Sequence, residues 1–182
     1  MSFVRRPPFH DSTRREWLAH SATAALALGG LGWSGLAAAL APGDALPVQS
    51  APGAAGQPGV PLFDGKARAT YIDFWASWCG PCRQSFPWMN RMQAKFGPQG
   101  LRIVAVNLDK QTADAQRFLA ELPAQFTLAF DPSADTARRF GVKAMPSSVL
   151  LGADGKVLAT HAGFREDDMA PLEARLAAAL GA

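Results

Sequence analysis

Cys79 and Cys82 are the two thiols of a 182-residue chain, and they stand three apart in Cys79-Gly80-Pro81-Cys82. The run before them, Tyr71-Ile72-Asp73-Phe74-Trp75-Ala76, is apolar, β-branched and aromatic except for Asp73, so it reads as a buried strand that stops by Trp78. Helix-like sequence follows. A strand that delivers two thiols to the start of a helix is a redox device. The helix N-terminus carries partial positive charge and free N–H groups, and both favour a thiolate. The first cysteine's pKa is expected to fall from ~8.5 into a range of roughly 3.5–7.5. Cys79, at the turn, is the expected exposed nucleophile. Cys82, in the first helical turn, is expected to be more buried and to close the ring. Pro81 has no N–H to donate, and the first turn of a helix needs none.

Two plainer readings compete. A structural disulfide across so short a loop restrains the unfolded chain little. Half of a zinc site needs a second Cys/His pair, and this chain has no further cysteine and no paired histidines. In exchange chemistry the Cys79 thiolate attacks a partner disulfide, and Cys82 then attacks Cys79 and releases the reduced partner. Cys82 must lose a proton to do so. Asp73, six residues before Cys79 in an apolar strand, is the candidate acceptor, because burial raises a carboxyl's pKa toward neutrality. The alternative is an edge aspartate facing water. Trp75 and Trp78 are expected to shield the dithiol.

Asp73-Phe74-Trp75-Ala76 followed by Trp78-Cys79-Gly80-Pro81-Cys82 resembles the active-site segment of the thioredoxin superfamily. Met145-Pro146-Ser147-Ser148, together with His161-Ala162-Gly163-Phe164-Arg165, is similar to the exported TlpA/ResA-like thiol–disulfide oxidoreductases, and the resemblance covers residues 62–180. It implies an α/β, thioredoxin-like fold with a central mixed β-sheet flanked by helices. It also implies a cis Met145–Pro146 bond facing the dithiol, with Trp78, Gly80, Pro81 and Met145 forming the substrate-docking rim. No cofactor and no metal are implied. The implied partners are disulfide-bearing envelope proteins, apocytochrome c among them, with a membrane thiol reductase as electron donor. One departure is that many such proteins carry an acid just after the second cysteine, where this chain has Ser85. Proton handling through Asp73 is in that respect more like thioredoxin. Two rival classes share the superfamily. A copper or cytochrome assembly chaperone would use the dithiol for binding, with a histidine such as His161. A peroxidase would carry Thr or Ser where Ala76 stands. His161 alone on its strand reads as a hydrogen-bonded structural histidine.

The remaining pattern supplies elements to position these groups. Strands are expected over 69–76, 101–109, 126–130, 147–151 and 157–161. Helices are expected over 83–96 (interrupted by Pro87), 111–122, 131–140 with Asp131-Pro132-Ser133 as its cap, and 166–180. Met89 and Met92 fall on the apolar helical face and read as core. Asp64-Gly65-Lys66 and Ala153-Asp154-Gly155-Lys156 read as turns.

Residues 1–41 read as an export signal. Ser12-Thr13-Arg14-Arg15-Glu16-Trp17-Leu18 resembles the twin-arginine motif, and a weakly apolar run over 21–41 follows, with Ala37-Ala38-Ala39 as a cleavage site. An ordinary secretory signal is the alternative. The run of about 21 residues also just spans a bilayer, so the domain meets a membrane only if this segment stays uncleaved as an anchor. Either way the domain is expected outside the cytoplasm, in the periplasm. Residues 42–61, with five prolines and four glycines, read as a linker or structureless lead-in to a domain over 62–182. Net charge is +3, but a leader ending near Ala39 would remove four arginines and two acids and leave 14 basic against 13 acidic residues. The basic balance thus belongs to targeting. With no basic stripe interleaved with aromatics, no nucleic-acid partner is expected.

Overall fold

The computed structural model describes residues 40–54 and 56–181, so nearly all of the expected export signal lies outside the described residues. The elements are β1 (Ser50–Ala51), β2 (Val60–Pro61), β3 (Ala69–Trp75), α1 (Gly80–Phe96), β4 (Leu101–Asn107), α2 (Thr112–Glu121), β5 (Thr127–Phe130), α3 (Asp135–Arg139), β6 (Ser147–Gly152), β7 (Val157–Ala162) and α4 (Met169–Leu180). Short 3₁₀ turns at Gly97–Gln99 and Glu166–Asp168 follow α1 and precede α4. Among the described residues no helix is long and apolar enough to cross a membrane.

Five strands form one sheet in the order β5-β4-β3-β6-β7. β3, β4 and β5 run parallel, β6 is antiparallel to β3, and β7 is antiparallel to β6. The sheet is therefore mixed and flanked by helices, as expected. All seven residues of β3 are buried, because this central strand is covered on both faces. Alternation splits them. Tyr71 and Trp75 join a core with Phe86, Met89 and Met92 of α1, Phe118 of α2 and Leu172 and Leu176 of α4. Ile72 and Phe74 join a second core with Ala137, Phe140 and Val149 on the opposite face.

α1 begins at Gly80, three residues before the expected start. Cys79 occupies the N-cap in extended conformation, and its Sγ accepts from the Cys82 N–H at 3.3 Å. Gly80 and Pro81 then fill a first turn whose N–H groups need no helical partner. The helix runs on through Pro87 without a break. In α3 the expected cap is present but reaches further. Asp131 Oδ2 accepts from Thr136 N at 2.7 Å, and the helix proper starts only at Asp135.

Residues 42–61 differ from expectation. Few large apolar side chains argued for a structureless lead-in, yet Leu46 and Ala51 are buried in the second core. The physical reason is that α3, at five residues, leaves much of that sheet face bare, and a segment hydrogen-bonded to the sheet edges covers it. Gly43 N donates to Val157 O at 2.8 Å and Val157 N to Asp44 O at 2.9 Å, while Phe130 N donates to Pro52 O at 2.9 Å. The segment therefore passes from edge strand β7 to edge strand β5, occupying backbone groups on both.

Candidate redox site

Cys79 and Cys82 are joined as a disulfide, with S–S 2.04 Å and Cα–Cα 5.3 Å. β3 and the cap described above bring them to the C-terminal end of the sheet. An aromatic cluster holds α1 in place there. The ring centroids of Trp75 and Phe86 lie 4.7 Å apart, those of Phe86 and Phe118 4.8 Å, and those of Phe86 and Phe126 5.3 Å. Such contacts tie the helix to β3 and α2 beyond simple burial. The expected order of burial holds, with Cys82 at 0%, but Cys79 is only 4% exposed rather than open. Its sulfur is turned into the Cys82 bridge, so access to the closed form runs over its rim.

That rim is open. Trp78 is 72% exposed, Gly80 and Pro81 are exposed, and a Cβ placed on Gly80 would meet nothing within 4 Å. Across β3, the Phe74↔Ser147 register puts the mouth of β6 beside the end of the strand that leads to Cys79. There the Met145–Pro146 bond is cis, Pro146 is buried, and its carbonyl accepts from Gly163 N at 2.8 Å. Met145 packs against the core that contains both cysteines.

Asp73 is 2% exposed, and its Oδ2 finds no hydrogen-bond partner among the described residues. Burial pushes its carboxyl well above the ordinary aspartate value. Alternation places it on the same face as Tyr71, Trp75 and the buried Cys82, which disposes of the edge-aspartate alternative. Ser85, where related sequences carry an acid, is buried and donates to Cys82 O at 3.1 Å.

Sequence reasoning missed the group that sets the loop before Cys79. Asp109 accepts from Ser77 N and Ser77 Oγ, both at 2.9 Å, and from Asn107 Nδ2 at 2.8 Å. The signal was Asn107 and Asp109 at the end of an apolar strand, where polar groups have no packing role. His161 also departs from expectation. Its Nε2 has no hydrogen bond among the described residues and stands 3.5 Å from Asp168 Oδ2. Among the described residues no three His, Cys, Asp or Glu side chains gather as a metal site.

A central mixed sheet, a Cys-x-x-Cys disulfide at the N-cap of the following helix and a cis-proline at the mouth of the next strand define a dithiol protein of the thioredoxin fold. The chain belongs to the Redoxin family, whose model matches residues 41–179. It is 30% identical over 99 residues to the thiol-disulfide oxidoreductase ResA of Bacillus thuringiensis, covering 54% of this chain and 57% of the relative. To ResA of Bacillus subtilis it is 28% identical over 110 residues, covering 60% and 62%. The chain thus spans about three-fifths of the length of these curated relatives. A crystal structure described as a thiol:disulfide interchange protein, DsbE, of Chlorobium tepidum is 54% identical, with TM-score 0.74, covering 79% of this chain and all of that one.

Proposed function

We propose that this protein is an exported thiol–disulfide oxidoreductase that reduces disulfides in partner proteins. One observation carries the reading: a closed Cys79–Cys82 disulfide at a helix N-cap, backed on the same sheet face by the buried carboxyl of Asp73, whose Oδ2 has no hydrogen-bond partner among the described residues. A structural bridge has no use for a desolvated carboxyl, whereas exchange chemistry needs a proton acceptor at the second cysteine. In the reduced protein the Cys79 thiolate attacks one sulfur of a partner disulfide, whose other sulfur leaves as thiolate. Cys82 then gives its proton to Asp73 and attacks Cys79 Sγ, which releases the second partner thiolate. Two electrons pass to the partner, and the protein ends as the disulfide. Trp78, Gly80, Pro81 and Met145 form the apolar rim on which the partner lies, with Pro146 beside the sulfurs.

Likeness to relatives named thiol-disulfide oxidoreductases supports this activity. The substrates we assign are envelope proteins with oxidised cysteine pairs, apocytochrome c among them, and a membrane thiol reductase would return the protein to its dithiol form. The test is insulin reduction: the dithiol-charged protein speeds precipitation of the insulin B chain. A rate equal to that of buffer and dithiothreitol alone would remove the activity.

The expected export signal, Arg14-Arg15 included, supports work outside the cytoplasm, by passage in the folded state. Substituting lysine at both arginines is expected to leave precursor in the cytoplasm on fractionation. Normal export of that variant would assign the signal to the ordinary secretory route.

A further inference from the structure

Asp73 can take the Cys82 proton only once the proton it already holds has reached water, and Asp73 is 2% exposed. The sheet register provides a way out. Asp73 pairs directly with Ser148 of β6, and Ser148 pairs directly with His161 of β7. Directly opposed residues of antiparallel strands share a face, so the three form one transverse polar row across an otherwise apolar layer. Tyr71, two residues before Asp73 and so on the same face, lines one cavity with Ser148 and His161. A cavity of about 10 Å³ lies beyond Ser148 from Asp73, with Tyr71, Ser148, His161 and Arg175 set in a mainly apolar wall, room for about one water. At its outer end the half-buried His161 stands with Nε2 3.5 Å from Asp168 Oδ2, without a hydrogen bond between them.

We propose that this row is the proton exit of the dithiol site, with His161 as its terminal relay. His161 acts through Asp73 and does not touch the sulfurs, so it is a positioning and relay residue. The inference rests on the thiol–disulfide reading above. Protonated Asp73 passes its proton by way of Ser148, Tyr71 and the cavity water to the imidazole. The imidazolium then yields a proton to bulk water, which restores the Asp73 carboxylate. No bond between heavy atoms changes, and no electrons move.

The charged and titratable groups facing His161 come from three elements. Asp168, in the turn before α4, places Oδ2 3.5 Å from its Nε2. Arg175, from α4, lines the same cavity. β6 contributes only the neutral Ser148, and β3 contributes Tyr71 and, one strand further in, Asp73. Burial pushes the Tyr71 phenol upward, and the Asp73 and Asp168 charges add to that, so Tyr71 serves as a neutral hydroxyl.

The test is single-turnover reduction of a synthetic peptide with an internal disulfide, quenched in acid, with the Cys79-linked mixed disulfide followed by mass spectrometry. In the His161→Gln protein the mixed disulfide is expected to form at the wild-type rate and to persist about tenfold longer near neutral pH, a smaller effect than the ~100-fold or more of a directly acting acid or base. His161→Ala is expected to show the same delay and, unlike Gln, to regain speed on added imidazole. In an Asp73→Asn background His161→Gln is expected to add no further delay, because both lie on one route. Unchanged resolution in both His161 variants, or a delay in His161→Ala that imidazole leaves untouched, would overturn the relay while leaving the oxidoreductase reading standing. Failure of the wild-type protein to form any mixed disulfide would overturn that reading, and the relay with it.

Discussion

Replacing Cys79 with serine is expected to reduce insulin reduction to the uncatalysed rate, whereas Cys82→Ser is expected to turn over once and stop. The two cysteines are equivalent in composition but not in position. Cys79 is the N-cap, beside the exposed Trp78 and Gly80, while Cys82 is fully buried one turn in. Only the first can meet a partner's sulfur. With Cys79 intact and Cys82 absent, attack proceeds but nothing resolves the product, so a covalent complex with the partner accumulates. Mass spectrometry of the Cys82→Ser protein after incubation with an oxidised peptide should find the adduct on Cys79. Retained activity in Cys79→Ser, or adduct on Cys82 in that variant, would reverse the assigned roles.

The second large effect is expected at Asp73, in two quantities at once. Its carboxyl is buried with Oδ2 unpartnered, and burial raises its pKa. In the unfolded chain the same group ionises near ~3.9. Below that value it is neutral in both states and costs the fold nothing as a charge. As pH rises from there through the raised folded value, the unfolded chain loses its proton first, so wild-type stability falls and then levels off. The Asp73→Asn protein has no such titration. Near pH 4 the two proteins should therefore have similar stability. By pH 8 the variant should be the more stable, by about 1–3 kcal/mol, the order measured for burying an unsatisfied polar group. Resolution of the mixed disulfide should meanwhile slow by about a hundredfold at neutral pH, the lower bound for a lost acid or base, with the first attack little changed. Denaturant titrations at the two pH values and single-turnover kinetics check both halves. A stability gap that does not open with pH, together with wild-type resolution, would mean that the carboxyl takes no part.

Local signals carried much of this site. The Cys-x-x-Cys spacing, the apolar strand before it and the single carboxylate within that strand each have a local physical meaning, and the structure puts them on one sheet face. The cis Met145–Pro146 bond was legible only through resemblance, because no local pattern fixes a proline's isomer. What stayed hidden depends on register. Ser148 and His161 are far from Asp73 in sequence, and only the pairing of β3 with β6 and β6 with β7 lines them up. Asp109 reaches Ser77 across 32 residues for the same reason. The 42–61 segment misled because composition speaks to whether a stretch forms its own core. It says little about whether the stretch can cover a face that a short α3 leaves bare.

The most direct measurement is the equilibrium of the Cys79–Cys82 pair with glutathione buffers of graded ratio, read by alkylating the free thiols. A cycling dithiol must be reducible by partners, so the pair is expected to titrate reversibly as a two-electron couple between about −120 and −270 mV, the span of known protein dithiol exchangers. A pair that stays oxidised across every ratio, with a potential below about −300 mV, would be behaving as a structural disulfide and would contradict the account at its centre.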